Sequence, residues 1–126
     1  MRNVIYRIQG EESRNKGILA ADESSPTIEK RLASVGVDST EGSRHSYRYN
    51  LFSSDGLEDY IGGVILFDET IRSERTIEPL LEKGICIGIK VDKGAKPYDE
   101  IGGMLTEGLD GLTERLREYR NLGAEF

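Results

Sequence analysis

An α/β fold built on parallel strands is what this sequence predicts, and three observations predict it. A phrase recurs: residues 17–24 read Gly-Ile-Leu-Ala-Ala-Asp-Glu-Ser, 63–70 read Gly-Val-Ile-Leu-Phe-Asp-Glu-Thr, and 84–92 again run an apolar series into an aspartate. Each apolar run is continuous rather than alternating, which is how a strand reads when both of its faces are covered. Each run is also followed by a polar turn and a stretch of helical periodicity. Strand, loop and helix in alternation imply right-handed crossovers and a parallel sheet.

The elements follow in order. After the first strand, Ser25 is expected to cap a helix with Pro26 in its first turn, where a missing N–H costs nothing. Ile28, Leu32 and Val35 then fall on one face, and Gly36 stops the helix. A second helix is expected over residues 40–51 with Tyr47 and Leu51 inward. A third, over about 76–83, gathers Ile77, Leu80 and Leu81. A fourth begins after Asp110 and buries Leu112, Leu116 and Tyr119 before Gly123. The last four residues, Gly-Ala-Glu-Phe, read as the approach to a fourth strand.

Two architectures compete for such a pattern. A doubly wound sheet that binds nucleotide often carries a glycine-rich turn after its first strand. Here that turn is Asp22-Glu23-Ser24-Ser25-Pro26, without glycine. Charged residues at strand ends suit instead a (β/α)8 TIM barrel, whose chemistry collects at the C-terminal face. A full barrel takes roughly 250 residues, so the 126 residues here read as a partial barrel of about three parallel strands, one incomplete domain spanning the whole chain.

Composition narrows the function. Apolar residues make up 37% and charged residues 32% of the chain. The longest apolar stretch, residues 64–67, is far short of the ~20 needed to span a bilayer, and the first six residues lack a signal peptide's apolar core. No membrane role is expected. The lone Cys86 excludes an internal disulfide framework, reads as a small core residue, and points to a reducing cytoplasm. A net charge of −6 argues against a nucleic-acid partner. A site for one small phosphate ester needs only local positive charge.

Five residues carry the chemistry. Asp22 ends the first strand, where a barrel carboxylate can hold a substrate hydroxyl or relay a proton; the alternative is a loop or capping aspartate. Asp68, its counterpart on the second strand, reads as structural. Lys90 stands inside an apolar run, where an amine is costly unless paired or wet. Such a cation suits an anionic substrate or serves as a nucleophile, and the competing picture is a lysine snorkelling to water. Asp92 shares its side of the strand and can keep it charged. Ser24, Thr27 and Arg31 gather at a helix start, an arrangement that attracts phosphate. The only histidine, His45, sits in a polar helical segment and reads as a surface residue. The Lys93–Pro97 stretch reads as a solvated basic loop, close enough to the strand end to help with anions.

These phrases resemble class I fructose-bisphosphate aldolase along nearly the whole chain. Residues 16–24 resemble that family's first-strand signature, 27–37 the helix after it, 62–70 the second strand, 88–94 the third, and 107–115 the loop and helix beyond. The resemblance implies the N-terminal part of a TIM barrel, its first three βα units. It implies reversible cleavage of fructose 1,6-bisphosphate, through a lysine Schiff base and without a metal or other cofactor. Asp22 would lie beside the scissile bond, Lys90 among the lysines that contact substrate, and Ser24, Thr27 and Arg31 toward one sugar phosphate. The family's Schiff-base lysine and acid–base glutamate lie on later strands, so this segment by itself is expected to be inactive; the complete enzyme is expected to be a homo-oligomer. Alternatives are a non-catalytic fragment, or a different phosphosugar barrel using Lys90 for its imine. Pro26 stands where the family usually has glycine, the loops at 72–76 and 98–106 are short, and residues 1–15 match poorly.

Overall fold

The computed structural model describes residues 16–126 together with Val4 and Ile8. The poorly matching segment 1–15 therefore falls almost wholly outside the described residues. Three parallel strands form the sheet in the order β1 (Gly17–Ala21), β2 (Ile61–Leu66), β3 (Cys86–Ile89). Their register pairs Ala21 with Leu66 and Leu66 with Ile89, which aligns all three C-terminal ends. This is the α/β arrangement that the uninterrupted apolar runs require: Val64, Leu66, Cys86 and Ile87 are each buried to 1% exposure or less.

Helices α1 (Ser25–Ala33) and α2 (Glu41–Phe52) connect β1 to the short α3 (Leu57–Tyr60), which leads into β2. After β2 come α4 (Asp68–Ile71) and α5 (Glu74–Glu82), which returns the chain to β3. Beyond β3 lie an antiparallel hairpin, β4 (Ala95–Pro97) with β5 (Met104–Thr106), and α6 (Leu112–Asn121). The helices face the sheet through Phe52, Ile71, Ile77, Leu80 and Tyr119, and these join the strand side chains in one core.

The end of the chain explains two glycines of the sheet. Residues 125 and 126 hydrogen-bond to β3, Glu125 N–H donating to the Ile87 carbonyl at 2.7 Å and Ile89 N–H to the Phe126 carbonyl at 3.0 Å. The expected approach of a fourth strand is thus present as backbone pairing. It brings the Phe126 ring over β2 and β3, where a Cβ on Gly88 would stand 2.5 Å from the ring and one on Gly63 3.0 Å. At Gly88 only glycine leaves room, and at Gly63 a side chain would press on the ring.

Several local expectations need correction. Ser24, not Ser25, holds the cap position of α1, so the helix starts one residue earlier than Pro26 suggested. Val35 is 71% exposed because the helix ends at Ala33 and the left-handed Gly36 carries the turn beyond it. In α2 the buried residues are Arg48 and Phe52; Leu51 packs partly buried against the core as expected, while Tyr47 is exposed. The reciprocal cap between Thr40 and Ser43 begins that helix at Glu41 and sets its rotation. Leu81 and Leu116 are exposed, since Leu80 and Tyr119 take the sheet-facing positions. The basic loop is partly a strand: Ala95–Pro97 pairs with β5, and Lys96 bonds Glu107 at 2.6 Å. Cys86 is a free, buried core residue, as its place in the run suggested. Among the described residues no helix is long and apolar enough to cross a membrane.

Candidate active site at the strand ends

The aligned ends of β1 and β3 bring their charged residues to one rim. Lys90 follows β3 directly, its N–H donating to the Leu66 carbonyl of β2 at 2.9 Å. Its ammonium bonds Asp92 at 2.5 Å and lies 3.8 Å from the Asp22 carboxylate at the end of β1. The carboxylate of residue 22 and the amine of residue 90 are therefore on the same side of the sheet. All three side chains are partly exposed, Lys90 at 25%. The lysine answers its cost by pairing with two acids rather than by snorkelling.

Asp92 is itself held. Its other oxygen accepts the Gly94 N–H at 2.9 Å. The Lys90 ammonium first, and that backbone donor second, lower its pKa below the ordinary aspartate value. The strand end is fixed from outside by α6 and the hairpin. Arg115 donates to the Val91 carbonyl at 2.9 Å and also to the Gly108 carbonyl, and Lys93 N–H donates to Glu107 at 2.9 Å. Gly108 takes φ +143°, and a Cβ there would sit 2.9 Å from the Asp92 Cα. Close backbone approach, rather than chain flexibility, is the reason for that glycine.

The helix-start residues form a neighbouring cluster. The Ser24 and Thr27 hydroxyls are 3.1 Å apart, and Ser24 makes no side-chain cap, which leaves its hydroxyl turned to Thr27. Arg31, one turn on, is ion-paired with Glu23, a residue whose side chain is only 7% exposed. A hydrogen bond to Tyr47 foremost, then the Glu23 charge, raise the Arg31 pKa above its ordinary value, with a smaller contribution from Asp22. The structure thus joins Asp22 to Lys90 directly, and Ser24 to Thr27. It commits Arg31 to Glu23.

Sequence reasoning missed Glu23 and Arg48. Arg48 is 2% exposed, donates to the Glu23 carbonyl at 2.8 Å and pairs with Glu69 at 3.1 Å. The available signal was its place four residues before the buried Phe52. His45 is half-buried rather than on the open surface, its Nδ1 lying 2.8 Å from the Thr76 hydroxyl. Asp68 has the structural surroundings expected of it. Arg72 grips it with contacts of 2.9–3.0 Å and the Tyr119 hydroxyl donates at 2.9 Å. Among the described residues no cluster of acids, histidines and cysteines fits a metal ion.

Comparison with known proteins identifies the family. The family model for fructose-bisphosphate aldolase class-I matches residues 8–126. Residues 8–15, set outside the family resemblance by the sequence reading, are therefore inside the match. A probable fructose-bisphosphate aldolase class 1 of Xanthomonas axonopodis pv. citri is 52% identical over 117 residues, covering 88% of this chain and 35% of that protein. Human fructose-bisphosphate aldolase C is 48% identical, with 88% of this chain and 32% of that protein covered. Among solved structures, Plasmodium falciparum fructose-bisphosphate aldolase, crystallised with TRAP and a small-molecule inhibitor, superposes with a TM-score of 0.84 at 44% identity. That match covers 88% of this chain and 34% of the neighbour, which is an aldolase TIM barrel. The chain spans about a third of the length of the relatives it matches. It belongs to the class I fructose-bisphosphate aldolase family.

Proposed function

We propose that this chain supplies the first three βα units of a class I aldolase barrel, and with them part of the rim that binds fructose 1,6-bisphosphate. The observation that carries this reading is the meeting of Asp22 and Lys90, 3.8 Å apart, from separate strands at the C-terminal face. Asp22 would hold a substrate hydroxyl or take its proton. Lys90, ion-paired with two carboxylates, would hold substrate oxygen, and Ser24, Thr27 and Arg31 would take one phosphate.

In this reading the reaction is reversible aldol cleavage through a lysine imine formed elsewhere in the complete barrel, without a metal. The 126-residue segment is then inactive alone. The complete protein works in the cytoplasm on a small phosphosugar, as a homo-oligomer.

The test is a graft. This chain replaces the matching segment of the Xanthomonas aldolase, and fructose 1,6-bisphosphate cleavage is measured. The expected result is activity in the graft, at least ~100-fold loss on Asp22→Ala or Lys90→Met, and none in the unattached chain. Full activity in both variants would refute the reading. Borohydride trapping with dihydroxyacetone phosphate separates the alternative in which Lys90 forms the imine, because only then does a mass adduct fall on that residue.

A further inference from the structure

Glu23 stands directly after Asp22 and directly before Ser24, the cap residue of α1. Asp22 reaches the Lys90 ammonium, whereas the Glu23 side chain is enclosed, with 7% of it exposed. One of its carboxylate oxygens accepts from the Arg31 guanidinium. The other is buried, and among the described residues it has no partner. An acceptor buried without a partner is costly. A methionine would fill about the same space without that cost, so packing does not explain the carboxylate.

The backbone of Glu23 is fixed as well. Arg48 donates to its carbonyl at 2.8 Å and pairs with Glu69 of α4 at 3.1 Å, and Arg44 holds Glu69 in turn at 2.6 Å. The carboxylate is therefore a fixed point presented to a flexible partner. Arg31 is 56% exposed on a long stem that samples many rotamers when unpaired. A guanidinium carries five N–H donors, and the contact with Glu23 uses only the Nη1 nitrogen. The remaining donors are open to phosphate, one helical turn from the paired hydroxyls of Ser24 and Thr27.

We propose that Glu23 is a positioning residue for substrate phosphate: it holds the Arg31 fork by one nitrogen in the orientation that receives the phosphate, and touches no substrate itself. The proposal rests on the reading that the rim binds a phosphosugar and that Arg31 takes one of its phosphates. Orienting a flexible arginine beforehand spares the ordering cost on binding. That gain outweighs the charge the pair shares, because an ion pair with one member in water is weakly coupled and leaves the guanidinium attractive to phosphate.

Steady-state cleavage of fructose 1,6-bisphosphate by the active graft tests this, with Glu23→Met, Glu23→Gln, Arg31→Ala and the Glu23→Met, Arg31→Ala pair. Arg31→Ala is expected to raise KM about tenfold or more. Glu23→Met is expected to raise KM about fivefold, with kcat within about twofold of the parent graft. Its thermal midpoint should hold, since it removes a buried unpartnered oxygen and frees an arginine that water can reach. Glu23→Gln, whose amide oxygen still accepts the Arg31 N–H, should recover most of the KM. In the Arg31→Ala background Glu23→Met should change nothing further, because the carboxylate acts only through that guanidinium. An unchanged or lower KM in Glu23→Met overturns the proposal, as does an equal rise with and without Arg31 or a glutamine variant no better than the methionine one. A joint fall of kcat and thermal midpoint would mark a structural role and overturn it too. An unaltered KM in Arg31→Ala instead defeats the assignment of phosphate to Arg31, and this role of Glu23 with it.

Discussion

Replacing Gly88 by alanine puts a methyl group where the Phe126 ring already stands. The added Cβ would lie 2.5 and 2.6 Å from two ring carbons and 2.9 Å from a third. Carbon atoms prefer 3.5–4.0 Å, so the overlap is about 1 Å. The ring cannot simply step aside, because the backbone on either side of Gly88 is pinned by two hydrogen bonds to residues 125 and 126. Overpacking of this kind costs about 1–3 kcal/mol. A glycine to alanine change in a strand would otherwise gain roughly 0.5–1 kcal/mol, so the sign of the effect is diagnostic. A net loss near 1–2 kcal/mol should lower the thermal midpoint by several degrees for a chain of this size. Circular dichroism melts of the two chains measure it, and Phe126→Ala on top of Gly88→Ala should recover much of the loss. A midpoint that stays put or rises in Gly88→Ala alone would refute the reasoning.

Other outcomes follow from the same contacts. Arg48→Met deletes the donor to the Glu23 carbonyl and one arm on Glu69; Glu69 keeps Arg44, so the loss should be about 2–3 kcal/mol in urea unfolding, and a change below about 0.5 kcal/mol would count against it. The carboxyls of Asp68 and Glu69 are depressed, chiefly by hydrogen bonds from Arg72 and Arg44 respectively. A carboxyl whose folded pKa is depressed contributes stability above its unfolded value of about 4 and loses it as pH falls through the folded pKa. The urea midpoint should therefore drop between pH 6 and pH 3, and a constant or higher midpoint at pH 3 would contradict those pairings. Gly108→Ala forces a side chain at φ +143° against the Asp92 backbone. Introduced into the active graft, it should slow cleavage by disturbing Lys90 and Asp92, and unchanged kinetics would show the contact to be dispensable.

The parts of the fold legible in the sequence were those where one periodicity dominates. The three apolar runs were unmistakable because a strand covered on both faces needs a side chain buried at nearly every position, and β3 is buried throughout. Rotation of the helices was less legible. Tyr47 and Arg48 compete for the same inward place in α2, and the larger apolar surface of tyrosine favours it on paper. The arginine is inside because Glu69 and the Glu23 carbonyl come from elements distant in sequence to meet it. Lys90 was legible for the opposite reason, a charge in an apolar run, and its partners lie on its own strand and the first. The β4–β5 hairpin was hidden because its residues are exposed and glycine-flanked, with no apolar alternation to mark strands.

The central claim is that Asp22 and Lys90 act together on one substrate. A double-mutant cycle on the active graft addresses it, with kcat/KM for fructose 1,6-bisphosphate measured for Asp22→Asn, Lys90→Met and the pair. Groups that work as a unit lose function non-additively, so the double variant should be no worse than the poorer single variant within about threefold. Losses that multiply, leaving the double variant far below either single one, would show the two residues acting independently.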